Sequence, residues 1–130
     1  MKTIKDVERY AKKVIPLLNL SHWEIDMYGS NKEIKDTYAT SYPSHKYKRA
    51  SIEIHNYFYR CSEKNKKLGI IHELLHCHTC FYDPSYELFM GSTDVSQKTH
   101  AMFKNSIIDA EEECVELLAR AIYKLIENAS

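Results

Sequence analysis

The sequence predicts a single α+β domain in which helices cover a small sheet. Apolar residues recur at helical spacing towards both ends of the chain, and the middle shows the two-residue alternation of half-buried strands. The 130 residues are enough for one hydrophobic core but short for two. We therefore expect one domain over residues 1–130, with one principal functional site.

The two outer helices are predicted from apolar stripes separated by charged residues. In residues 3–18, where Pro16 is expected to loosen the last turn, the stripe consists of Ile4, Val7, Ala11, Val14, Ile15 and Leu18. From about Lys104 to Asn128 it consists of Ile108, Val115, Leu118, Ile122 and Ile126. These patterns predict an N-terminal helix and a long C-terminal helix.

A small three-stranded sheet is predicted between these helices. The first strand contains Trp23, Ile25 and Met27, which alternate with acidic residues up to the turn formers at 29–31. The second strand covers residues 37–42, which are rich in Tyr and Thr, and the third covers residues 50–55. Residues 43–49 between them are expected to form a hairpin turn.

A middle helix is predicted from Ser62, a residue type that often caps helices, to about Cys80. The basic run Lys64 to Lys67 near its start is expected to be a solvated face. Asp83-Pro84 would end the helix, and the weak periodicity of residues 83–102 predicts a loop.

The middle helix carries the segment His72-Glu73-Leu74-Leu75-His76. Residues four apart lie on one face of a helix, so the two imidazoles can bind one tetrahedral Zn²⁺ ion. The carboxylate of Glu73 would lie beside the metal, where it could accept a proton from an activated water. The segment therefore predicts His72 and His76 as metal ligands and Glu73 as a general base.

A catalytic zinc ion needs a third protein ligand, and the acidic C-terminal helix can provide it. Relative to the buried face of that helix, Glu113 points away and Glu116 lies at the edge. Glu111 and Glu112 straddle the buried face. Acidic residues at the start of a helix are also favoured by the helix dipole, so the acidic run alone does not choose a ligand. The spacing leaves Glu111 and Glu112 as candidates.

The segments Gly69 to His76 and Glu111 to Arg120 resemble gluzincins, zincins in which a Glu on a following helix completes the zinc site. The resemblance is greatest to minimal cytosolic and phage-encoded metallopeptidase-like domains, including the ImmA/IrrE type. It implies a zincin-like fold, a Zn²⁺ cofactor and a peptide or protein substrate. It favours Glu112 as the third ligand, because Ala119 matches the small residue seven positions later that lets the two helices pack closely. It also implies that the strand Ser51 to His55 borders the cleft and could pair with an extended peptide.

Several other polar residues have competing interpretations. The residue that stabilises the oxyanion in such enzymes has three candidates here: Tyr82, Tyr86 and His100. His78 is expected to be exposed or to cap a helix. A second metal site or thiol chemistry could involve the four cysteines, although cysteine is commonly a small buried residue. They are Cys61, Cys77, Cys80 and Cys114.

The composition argues against several classes of protein. Eighteen basic residues balance eighteen acidic ones, which disfavours binding to nucleic acid or to an anionic membrane surface. Residues 1–8 lack the apolar region of a signal peptide, and no segment approaches the roughly 18 apolar residues of a membrane span. We therefore expect a cytoplasmic protein with reduced cysteines.

Two functional hypotheses follow from the sequence. The first is a zinc metallopeptidase that hydrolyses peptide bonds, with His72, His76 and Glu112 as ligands and Glu73 as the base. The second is a zinc-stabilised module that retains the site but binds a protein partner without cleaving it. The substrate and the oligomeric state are left open.

Overall fold

The computed structural model describes residues 1–80, 88, 91 and 95–129. Within this part of the chain, three α-helices and a three-stranded mixed sheet form an α+β domain, which confirms the predicted class. In chain order the elements are α1 (Ile4–Leu17), β1 (Glu24–Gly29), β2 (Ala39–Ser44), β3 (Arg49–Ile54), a 3-10 helix (Asn56–Arg60), α2 (Glu63–Thr79) and α3 (Gln97–Asn128). Among the described residues, no helix combines the length and the apolar character that crossing a membrane requires.

The helices begin where the sequence offers side-chain caps. The Thr3 hydroxyl accepts a hydrogen bond from the Asp6 amide, and the Asp6 carboxylate accepts one from the Thr3 amide, which forms a capping box at α1. Ser62 caps α2 by accepting a hydrogen bond from the Asn65 amide, as predicted. These caps satisfy amides that have no partner inside the helix.

The helix α3 begins at Gln97, before the predicted start near Lys104, so the prediction of a loop is wrong for residues 97–102. The Ser96 hydroxyl accepts a hydrogen bond from the Thr99 amide and caps the first turn. Residues 101–106 are all exposed in the helix. An exposed turn needs no apolar stripe, and for this reason the sequence pattern did not reveal it. The predicted end of α2 at Asp83-Pro84 lies outside the described residues.

The sheet has the strand order β1-β3-β2, so β3 is the central strand. It pairs in parallel with β1 and antiparallel with β2, and the chain turns between β2 and β3 at residues 45–48. Pro43 lies within β2, a position compatible with an edge strand because an edge leaves some amides outside the ladder. The predicted strands therefore form, with β2 lying slightly later in the chain than expected.

Helices cover one face of this sheet and enclose the core. Ile52 and Ile54 of β3 are buried against them, as predicted, and Phe58 of the 3-10 helix lies in the same core. In α3 the periodicity is less accurate, because Ile108 and Leu118 are exposed although it placed them on the buried stripe. Helical spacing shows that apolar residues share one side of a helix. It does not show which of them another element of the fold will cover.

The basic run at the start of α2 is not wholly solvated, so this prediction is wrong at Lys66. The Lys66 side chain is buried, and its ammonium group donates to the Met1 carbonyl oxygen at 2.8 Å and to the Glu63 carboxylate at 3.2 Å. These two contacts replace the water that the charge loses on burial.

The packing of α2 against α3 positions the acidic residues of α3, and the buried face of α3 includes a small side chain. Ala119 is completely buried in α3, seven residues after Glu112. We expect Ala119→Leu to lower the free energy of unfolding by about 1–3 kcal/mol, because added methyl groups overpack a filled core. Urea denaturation measures this loss. Ala101→Leu, at an exposed position of the same helix, should change it by less than about 0.5 kcal/mol. Equal losses in the two variants would contradict the role of Ala119.

Candidate metal centre

The two histidines of the predicted motif face an acidic part of α3. His72 and His76 lie one turn apart on α2, with their ring centroids separated by 5.0 Å, and both side chains are largely buried. One carboxylate of α3 reaches both rings, because Glu112 Oε2 lies 3.1 Å from His72 Nε2 and Glu112 Oε1 lies 3.2 Å from His76 Nε2. The donor atoms of the three residues all lie within 4.8 Å of one another. This group could hold a metal ion.

Comparison of the chain with protein-family models, curated proteins and solved structures gave no match.

The other nitrogen of each imidazole also faces a carboxylate. His72 Nδ1 lies 3.2 Å from Glu116 Oε2, and His76 Nδ1 lies 2.9 Å from Glu111 Oε1. A carboxylate oxygen only accepts hydrogen bonds, so each of these contacts is a hydrogen bond in the tautomer that carries its proton on Nδ1. Both rings then direct Nε2 towards Glu112, which is the orientation of metal-binding histidines whose second nitrogen is held by a carboxylate.

In this tautomer each Nε2 faces Glu112 with no proton between them, an arrangement that a bound cation would stabilise. A neutral imidazole has a single N–H, so once Nδ1 is protonated the lone pair on Nε2 faces an oxygen of Glu112. A cation between these atoms would remove the repulsion. Tetrahedral ligands at usual zinc distances lie roughly 3.3 Å apart, and the Nε2–oxygen separations here are 3.1 and 3.2 Å. The three residues are therefore close enough together to hold a metal ion.

The carboxylates that hold the imidazoles are themselves held in place. The Arg120 guanidinium donates to Glu116 Oε1 at 2.7 Å, and the Thr79 hydroxyl donates to Glu111 Oε1 at 2.6 Å. Burial acts to raise the pKa of Glu116, but hydrogen bonds from Arg120 and His72 outweigh it and keep the pKa below its ordinary value. Glu116 is therefore ionised at neutral pH and can orient the ring of His72.

The predicted base lies on the side of the site that faces β2. Burial raises the pKa of Glu73 to about 7, although the nearby His72 and hydrogen bonds with the side chain and backbone of Ser41 act in the opposite direction. Ser41 is paired across the ladder with Ile52 of the core, so its side chain points to the helical side of the sheet. This arrangement ties the carboxyl of Glu73 to β2.

A cavity of about 660 Å³ adjoins these residues, and its walls come from α2, α3, β2 and the segment that leads into β2. The prediction that the strand Ser51 to His55 borders the cleft and could pair with a peptide is wrong. None of its residues lines the cavity, and both edges of β3 are already paired. Residues 36–41 border the cavity instead. Alternation identifies a strand but not its place in the sheet, which here depends on the parallel pairing of β3 with β1.

The other residues proposed from the sequence lie away from the cavity or outside the described part of the chain. Tyr82 and Tyr86 are not among the described residues. His100 lies in the first turns of α3, about 16 Å along the helix from Glu111, and it does not line the cavity. His78 is exposed, and its Nε2 lies 2.6 Å from the Leu18 carbonyl oxygen at the end of α1, which agrees with the predicted capping role.

The cysteines form no second metal site among the described residues, where the His72, His76 and Glu112 group is the only cluster of three or more suitable ligands. All four are free thiols. Burial, together with the neighbouring Cys80, raises the pKa of Cys77 to about 12, so this thiol is protonated and unreactive at neutral pH.

The sequence did not predict the contacts that surround the site. Glu116 and Arg120 follow Glu112 at intervals of four, so helical spacing could have linked both to the same face of α3. Ser41 gave no comparable signal, because only the strand order of the sheet brings β2 next to Glu73.

Proposed function

We propose that this chain is a zinc-dependent metallopeptidase with a zincin-like fold. His72, His76 and Glu112 would bind the metal, and Glu73 would act as the general base. The observation that carries the proposal is the convergence of both histidine Nε2 atoms on the Glu112 carboxylate, beside a cavity that Glu73 also lines. Two imidazoles and one carboxylate are a donor set of catalytic zinc sites that leaves a position open for water or substrate.

Each residue of the site would have a distinct role. Zinc bound there would polarise a substrate carbonyl and make a bound water more acidic. Glu73 would accept the proton of the attacking water and deliver it to the leaving amine. A pKa near 7 suits both steps, because the same carboxyl must take up the proton and release it. The hydrogen bonds with Ser41 would hold the Glu73 carboxyl next to β2 during both steps.

An extended peptide is the proposed substrate because an edge strand borders the cavity. β2 pairs with β3 on one side, and no strand in the described part of the chain pairs with its outer edge. The unpaired amide and carbonyl groups of that edge could bind a peptide by strand addition, alongside Glu73 and the metal ligands.

Metal analysis and a cleavage assay test the proposal together. The purified protein should contain about one zinc ion per chain, as expected for a single three-ligand site. It should cleave members of a peptide library, lose this activity with a chelator and regain it when Zn²⁺ is added. Zinc without any cleavage would contradict the enzymatic part of the proposal and leave the metal site intact.

A zinc-stabilised binding module is the second candidate function. Contacts between α2 and α3 favour it, because Glu111 and Glu116 of α3 each hold a histidine of α2. This link would stabilise the domain whether or not a peptide bond is broken. Glu73 separates the two functions, because only catalysis needs a base.

The carboxylate behind His72 offers a test of the metal site that does not depend on catalysis. We expect Glu116→Gln to weaken zinc binding by roughly 10–100-fold, because an amide holds the imidazole less firmly than a carboxylate. Competition with a chromogenic chelator measures the affinity. Glu113→Gln is the matched control, since Glu113 is exposed on the same helix and should bind zinc as the wild type does. Equal affinities in the two variants would show that Glu116 does not position His72.

A further inference from the structure

The outward side of α3 carries an apolar stripe that the core does not cover. Its members recur at alternating intervals of three and four residues: Ile107, Ala110, Cys114, Leu117 and Ala121. All of them are exposed except Ile107, which is half-buried, and the exposed Leu118 and Leu125 widen the stripe on one side. This alternation is the spacing at which two helices pack along each other.

We propose that this stripe is the interface of a homodimer in which the α3 helices of two copies pack antiparallel. A two-fold axis brings the same patch of both copies together, so the patch must complement itself. With the axis between residues 115 and 116, Cys114 faces Leu117 of the second copy and Ala110 faces Ala121 of the second copy. Apolar side chains therefore meet apolar side chains in the four central layers.

Charge complementarity selects the antiparallel arrangement. Glu113 and Arg120 flank the stripe on the same side, and both are exposed. In the antiparallel pair, Glu113 lies beside Arg120 of the second copy, and the two-fold axis repeats this ion pair. A parallel pair would instead place Glu113 beside Leu118 and would bring the two Lys124 side chains together. The antiparallel pair places Lys124 along Ile107, where its stem packs and its charge reaches water.

The contact that Arg120 already makes is compatible with this pairing. Its Nε donates to Glu116 of the same chain at 2.7 Å, and the guanidinium has further N–H groups that can bind Glu113 of the second copy. Neither the stripe nor its flanking charges includes a proposed metal ligand or the proposed base. Arg120 does hold Glu116 and line the cavity, so Leu117→Glu, which changes neither residue, is the variant that separates the dimer from the metallopeptidase function.

Sedimentation at increasing concentration tests the interface. The wild type should reach twice the mass of one chain. Leu117→Glu should raise the dissociation constant by about 100-fold or more, because it places an unpaired charge in an apolar layer. Leu17→Glu is the matched control: Leu17 of α1 is 65% exposed and Leu117 is 63% exposed, but Leu17 lies outside the stripe. This control should remain dimeric.

Charge reversal tests the orientation. Glu113→Arg and Arg120→Glu should each be monomeric, because each change sets like charges side by side in the dimer. An equimolar mixture of the two variants should form a heterodimer, since every pair across its interface then joins opposite charges. Circular dichroism checks that each variant is folded. A monomeric wild type, a dimer unaffected by Leu117→Glu, or folded charge variants that stay monomeric when mixed would each overturn the proposal.

Discussion

Replacing His76 by alanine should abolish stoichiometric zinc binding. The change removes one of three proposed ligands. It should therefore weaken zinc binding by more than the roughly 10–100-fold expected when a carboxylate that only holds a ligand histidine is lost. Elemental analysis after dialysis measures the zinc content of each protein. His45→Ala is the matched control, because His45 is exposed in the turn between β2 and β3 and should leave about one zinc per chain.

The same variant should lose the stabilisation that metal binding provides. A ligand at 100 times its dissociation constant stabilises the folded state by about 2.7 kcal/mol, so a chelator should lower the Tm of the wild type by roughly 5 °C or more. The chelator should leave the Tm of His76→Ala unchanged. Full zinc content in His76→Ala would contradict the His72, His76 and Glu112 site and would point to the cysteines as ligands.

Replacing Glu73 by glutamine should leave zinc content unchanged and reduce peptide hydrolysis by about 10²–10⁴-fold, because an amide cannot accept the proton of the attacking water. The variant keeps the size of the side chain, so the contact with Ser41 should survive. Cleavage rates at saturating peptide, together with zinc content, measure the effect. Glu113→Gln should cleave at the wild-type rate, because its carboxylate points away from the cavity.

Two outcomes would change the proposed function. Hydrolysis at the wild-type rate in Glu73→Gln would show that Glu73 is not the base. A wild type that cleaves no peptide, together with a Glu73→Gln variant that retains full activity in a partner-binding assay, would favour the zinc-stabilised binding module.

Local patterns in the sequence predict the three helices, the three strands and the pair of histidines, although α3 begins earlier and β2 lies later than these patterns indicate. Ser62 was recognised as a cap, and it accepts the hydrogen bond from Asn65 that a cap requires. The four-residue spacing of His72 and His76 places both on one face of α2, where the structure brings one carboxylate of α3 to both rings. Each of these inferences uses residues within a few turns of each other on one element.

Tertiary structure alone decided what surrounds those residues. The resemblance to gluzincins implied that the third strand borders the cleft, but the pairing of β1 with β3 leaves β2 there and brings Ser41 to Glu73. The charge pattern predicted a solvated Lys66, although the N-terminus covers it. Periodicity records how one element is divided between buried and exposed faces. It carries no information on which distant element covers the buried face, because that choice depends on packing between segments far apart in the chain.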